Sequence, residues 1–221
     1  MFSHLLRGLL GILLLPACIA IARAFCLVLL ESNAPLMEGL SFLGGMFVFV
    51  FYWFFFPKPV KTYVFGHELT HAIWGLLFCA RPSRLKVTDR GGSVNLTKTN
   101  FLITLAPYFF PFYTFAIIIA AWITSFFLNP VPMLPLWIFF IGFSWAFHIF
   151  FTFESLMQRQ PDITVYGRMF SWPFIFIANV LILILCLAVS MSKFVFAVEC
   201  ICRSVAESYA GAYDFVCGFL I

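Results

Sequence analysis

The sequence predicts an all-α, multi-span membrane protein with about six transmembrane helices and one short β-hairpin. Three observations carry that expectation. Of 221 residues, 63% are hydrophobic and only 10% are charged, whereas an ordinary soluble domain carries about 25% charged residues. Six apolar runs each reach or nearly reach the ~20 residues a bilayer requires, and the mean hydropathy is +1.04. The longest polar stretch, 81–100, alternates in character about a turn signal. A soluble protein of this size cannot hide so much apolar surface. Composition therefore excludes a cytosolic globular domain, a disordered tail and a disulfide-knit secreted module.

The first run is Gly8 to Leu30, interrupted only by Arg23, which can snorkel from near the end of a span. Apolar character continues well past Pro16 and Cys18, so a retained helix is expected and not a cleaved signal. Gly39 to Phe56 is the second run, and Thr62 to Ala80 the third, with polar residues inside it. Between Arg81 and Asn100, the segments Arg84-Leu-Lys-Val-Thr88 and Ser93-Val-Asn-Leu-Thr97 alternate on either side of Asp89-Arg-Gly-Gly92. That is a hairpin signature. Phe101 to Leu128, the fourth run, is broken by Pro107 and Pro111. Leu136 to Met157 and Phe170 to Met191 are the fifth and sixth; the mixed stretch from Lys193 to Ile221 is expected along the interface. Repeats, low-complexity tracts and long linkers are absent, so one integral membrane domain over 1–221 is the economical expectation.

Thirteen basic residues stand against nine acidic, a net charge of +4. They lie mostly in connecting loops, as membrane-flanking anchors do, and form no nucleic-acid footprint. Basic residues divide nearly evenly between the two sides, so they do not fix the orientation. Four of the seven cysteines, Cys18, Cys26, Cys79 and Cys186, lie in apolar runs and read as small buried hydrophobes. Cys200, Cys202 and Cys217 lack the usual C-x-x-C spacing of a metal or redox site.

The third run reads Thr62-Tyr-Val-Phe-Gly-His67-Glu68-Leu-Thr-His71 and contains H-E-x-x-H. Residues i and i+4 share one helix face, so His67 and His71 can direct imidazoles at one ion. Zn²⁺ takes such nitrogens at about 2.0–2.1 Å. Glu68 is placed to hold a water and take its proton as the water attacks. Ionisable groups inside an apolar span are costly and functional by default. A catalytic zinc ordinarily takes three protein ligands, and the remaining candidates are Asp162, His148 and Glu154.

Membrane-embedded H-E-x-x-H, then a Gly-Gly hairpin, then an Asp before a later helix resembles the site-2 protease family of intramembrane zinc metalloproteases. The resemblance covers roughly Tyr63 to Ser171, with 62–171 as the expected metalloprotease core. It implies His67 and His71 as metal ligands, Glu68 as the catalytic glutamate and Asp162, in Gln160-Pro161-Asp162-Ile163, as third ligand. If every run spans fully, the histidines lie ~8–14 Å from the face where the third run starts, and His148 is nearer in depth than Asp162. Asp162 reaches them if a segment is re-entrant or broken, which Pro107 and Pro111 permit. A second resemblance, to the CaaX-processing and HtpX-like metalloproteases, would make Glu154 the third ligand, with Gln158 where that group has an Asp.

The expected function is thus a zinc-dependent intramembrane endopeptidase with one Zn²⁺ per chain, acting on membrane-anchored protein substrates. The expected setting is the lipid bilayer of a bacterial-type cell membrane, with no nucleic-acid partner. Gly91, Gly92, Ser93, Val94 and Asn95 are the expected substrate-binding edge, since an extended peptide can add to an exposed strand. A non-proteolytic membrane scaffold that keeps the fold is the alternative.

Overall fold

The computed structural model describes residues 2–31, 35–89, 91–128, 133–190 and 193–220. In chain order its elements are α1 (Phe2–Leu13), α2 (Leu15–Leu30), α3 (Leu36–Phe55), α4 (Val60–Leu77), β1 (Pro82–Thr88), β2 (Gly91–Leu96), α5 (Phe101–Phe109), α6 (Phe112–Thr124), α7 (Leu134–Met157), α8 (Pro161–Tyr166), α9 (Arg168–Ser190) and α10 (Phe194–Leu220). Leu5–Leu30, Leu36–Phe55, Leu134–Met157 and Arg168–Val189 are long and apolar enough to cross a membrane. The pair α5 and α6, bent by 71° at its break, makes a fifth if counted as one span. These helices make the chain a membrane protein. Among the described residues four or five such spans stand where about six are expected, and α4 is the run that falls short. Its 18 residues include Lys61, His67, Glu68 and His71, which dilute its apolar content.

Backbone contacts divide the chain into two units, Met1–Ala34 with Pro161–Ile221, and Pro35–Gln160. The expected core 62–171 runs across that boundary. In the first unit, Ile21, Ala24 and Val28 of α2 pack with Ile184 and Ala188 of α9 and with Ala197 and Cys200 of α10. Arg23 pairs with Glu207 of α10. Tyr209 donates to the Leu13 carbonyl at 2.7 Å. All seven cysteines are free, and Cys26, Cys79 and Cys186 are exposed where burial is expected from their apolar surroundings.

The second unit is built on α3 against α7. A Cβ on Gly45 would lie 1.9 Å from the Phe139 carbonyl oxygen, and one on Gly142 would lie 2.1 Å from that of Phe42. Small residues thus let the two backbones touch, as dispersion-driven packing in lipid favours. Beside this seam Phe49 is fully buried, with Phe143 and Phe147 set edge-on at 5.2 and 5.7 Å. Asn100 starts α5 by accepting the Ile103 N–H at 2.9 Å. Pro111 ends it: the residue before a proline is driven from helical to extended backbone, and Phe110 has φ −99° and ψ 103°. Pro107, expected to break the run, is accommodated inside α5.

Candidate metal centre

His67 and His71 lie one turn apart on α4, with ring centroids 4.9 Å apart and planes at 80°. His71 Nδ1 lies 2.8 Å from the Ile103 carbonyl oxygen. A carbonyl only accepts, so Nδ1 carries the proton and Nε2 the lone pair that a metal takes. This carbonyl-to-histidine bond is the usual way a ligand imidazole is held. The sequence explains why the acceptor is available. Inside α5, the Ile103 carbonyl would receive the N–H of residue 107, but Pro107 has none. A proline in a helix that packs on α4 therefore supplies the anchor for His71.

His67 is held by a different chain of groups. Its Nδ1 lies 3.3 Å from the Tyr63 hydroxyl, which lies 2.7 Å from Ser155 Oγ on α7. When Tyr63 donates to Ser155, His67 Nδ1 can donate to Tyr63, and that arrangement leaves the lone pair on Nε2. The Tyr63 ring stacks on Phe151 at 4.5 Å and 7°. Tyr108, fully buried, sets its ring edge-on to His67 at 5.2 Å. Both imidazoles are thus fixed through Nδ1, and together they can hold a metal ion.

Glu68 is buried, 8% exposed, beneath β2. A Cβ on Gly92 would come within 2.7 Å of Glu68 Cγ and 2.6 Å of Val64 Cγ1. Two residues before the helix ends, a Cβ on Gly75 would meet Leu96 Cδ2 at 2.9 Å. The strand therefore returns onto α4 at both of its ends. The helix terminates in a Schellman motif, with Ala80 N–H donating to Gly75 O at 2.8 Å and Cys79 N–H to Leu76 O at 2.9 Å. Cys79 takes the left-handed position usually held by glycine, with φ 57°.

The second strand starts earlier than expected. Thr88 pairs with Gly91 and Val87 with Gly92, so these glycines open β2 and do not form the turn. Gly91 has φ +139° and open space around it, whereas Gly92 is required for close approach to Glu68. Ser93 and Asn95 are exposed and Val94 is half-buried.

The other candidates differ in their surroundings. Asp162 lies in the first turn of α8, half-buried, beside the buried Ile163 in the first unit. His148 is 7% exposed and lines a cavity with Tyr63, His67, Thr70 and Ser144. Among the described residues it joins no set of three grouped His, Cys or carboxylate groups. Glu154 accepts from Lys58 Nζ at 2.5 Å, and that ammonium lies 4.2 Å from the Trp53 ring centroid. One oxygen of that carboxylate is thus engaged by Lys58.

Tyr63, Ile103, Tyr108 and Ser155 are absent from the sequence-based expectations. Tyr63 is legible in principle, being four residues before His67 on the same helix face. The others come from distant segments and leave no local signal. No family model, curated protein or solved structure matches the chain.

Proposed function

We propose that the protein is a zinc-dependent intramembrane endopeptidase and that His67, His71 and Asp162 hold one metal ion per chain. The observation that carries this reading is a buried H-E-x-x-H helix whose two imidazoles are each anchored through Nδ1. Two imidazole nitrogens and a carboxylate oxygen are a donor set suited to Zn²⁺, with a fourth position left for water or substrate. The resemblance of H-E-x-x-H, Gly-Gly hairpin and later Asp to the site-2 protease family supports the same reading. Counting α4 and the bent α5–α6 pair as membrane-inserted gives the six segments expected in a cell membrane.

Bound there, the metal would polarise the scissile carbonyl and acidify a water. Glu68 takes the proton from that water as its oxygen bonds to the carbonyl carbon. It returns the proton to the amine nitrogen as the C–N bond breaks. Burial under Gly92 keeps the Glu68 carboxylate close to β2. An extended substrate added along Gly91 to Asn95 would bring its scissile amide to that carboxylate. Tyr63, Ser155 and Ile103 only orient the imidazoles.

The test is metal content and turnover of purified protein reconstituted in lipid with a membrane-anchored reporter. Wild type should carry about one Zn²⁺ per chain and cleave the reporter. Glu68→Gln should keep the metal and lose turnover by at least ~10²-fold. His67→Ala and His71→Ala should lose both. Wild type that stays metal-free in zinc-replete, chelator-free buffer would sink the reading. Cleavage that survives Glu68→Gln would remove Glu68 as the base, and wild type that carries zinc and cleaves nothing would remove the proteolytic assignment.

A further inference from the structure

Residues 81–100 carry five basic residues, Arg81, Arg84, Lys86, Arg90 and Lys98, against one acid, Asp89. The rest of the chain carries eight of each sign, so the whole net charge of +4 resides on the hairpin and its flanks. Arg81, Arg84, Lys86 and Lys98 are exposed, and none forms an ion pair with a described residue. Asp89 does not neutralise them, because Lys61 of α4 holds it at 3.0 Å. Elsewhere Arg23, Lys58 and Lys193 each meet a glutamate.

The strand is shaped to display these cations. Its register shifts between Ser83 and Lys86, and Arg84 there has φ 51°. A non-glycine residue in the left-handed region costs roughly 1–2 kcal/mol, and such a bulge re-aims side chains. The consequence is that Arg84, Leu85 and Lys86, three residues in succession, are all exposed, Leu85 at 46%.

We infer that this hairpin recognises an acidic segment of the substrate next to its membrane anchor. The inference deepens the proteolytic reading and rests on it. The same two-stranded element that bears the unpaired cations lays Gly92 on Glu68. A peptide extended along it meets the cations and the catalytic carboxylate together. Complementary charge raises the encounter rate and selects the partner, and its effect at exposed groups weakens as salt rises. An anionic lipid surface offers the same sign of charge. It gives no reason, however, for the cations to sit on the element that covers Glu68.

The experiment uses two single-span reporter substrates that differ only beside the membrane, one acidic (Asp-Glu-Asp-Glu) and one neutral (Gln-Ser-Gln-Ser). Both are presented in nanodiscs of zwitterionic phosphatidylcholine. Affinity is read with zinc-loaded Glu68→Gln protein and cleavage with wild type. The acidic reporter should bind about 10-fold tighter at low salt, and the difference should collapse at high salt. Arg84→Glu with Lys86→Glu should abolish the preference and transfer it to a Lys-Arg-Lys-Arg reporter. Arg84→Gln with Lys86→Gln, a milder change, should reduce the preference without reversing it. Equal binding of both reporters by unsubstituted hairpin, or a preference that survives both double variants, overturns the inference. It is also overturned if the double variants alter only association with phosphatidylglycerol discs, which would make the lipid the partner. Cleavage without charge preference removes this inference and leaves the protease. Charge preference without cleavage removes the protease and leaves the recognition.

Discussion

Gly92 lies against Glu68 because hydrogen is the only side chain that fits there: a Cβ would sit 2.7 Å from Glu68 Cγ and 2.8 Å from the Lys86 carbonyl oxygen. The latter atom is backbone and cannot swing aside. Gly92→Ala should therefore lift β2 from α4 and cut turnover by about 10-fold or more, a displacement of ~1 Å costing as much as 10²-fold. Gly91→Ala meets open space but a strained φ, so it should mainly cost stability. Kinetics on metal-loaded protein, with thermal unfolding alongside, separate the two; equal turnover losses would contradict the assignment. For the third ligand, Asp162→Ala should lower zinc affinity about 10-fold or more and His148→Ala should leave it nearly unchanged, by equilibrium dialysis. The reverse result would give the third position to His148, which lines the cavity beside His67.

At the scale of elements, the notable device is Pro107 inside α5. It withholds an N–H from Ile103, whose carbonyl then accepts the His71 proton at 2.8 Å. Pro107→Ala supplies a competing N–H. It should make α5 a better helix and yet loosen the metal, a combination that neither a purely structural nor a purely ligating role produces. Metal affinity should fall about 10-fold, the low end of what losing such a support costs, while thermal stability is kept or raised. A variant that binds zinc as tightly as wild type would show that Ile103 needs no such release. Asn100 caps the same helix through the Ile103 N–H. Asn100→Ala should cost about 1 kcal/mol of stability, measured by unfolding in detergent.

For the whole molecule, metal binding and stability are linked. Free metal at ~100 times its Kd should stabilise the native protein by about 2.7 kcal/mol. Chelation should thus lower the unfolding temperature of wild type and leave that of His71→Ala unmoved. An identical response in both would place the stabilising metal elsewhere. The count of spans also belongs here. Four helices pass on length and apolarity, and α5 with α6 makes a possible fifth. The run with H-E-x-x-H passes no such test, because Lys61, His67, Glu68 and His71 make it polar.

Local chemistry was legible in the sequence. Apolar runs announced the long helices, since lipid demands ~20 apolar residues whatever the fold. The i, i+4 spacing placed His67 and His71 on one face beside Glu68, and alternation about Asp89 announced the hairpin. The partner of Arg23 was not legible, because Glu207 is 184 residues away. The start of β2 was also misplaced, because Gly91 and Gly92 have the composition of a turn while Gly92 serves close packing. Only the tertiary structure decided which groups hold the imidazoles. Ile103, Tyr108 and Ser155 meet α4 from α5 and α7. Sequence records helix periodicity because neighbours on one helix are fixed by 3.6 residues per turn. It records no such rule for contacts between helices, which depend on the bend at Pro111 and on backbones brought together at glycines.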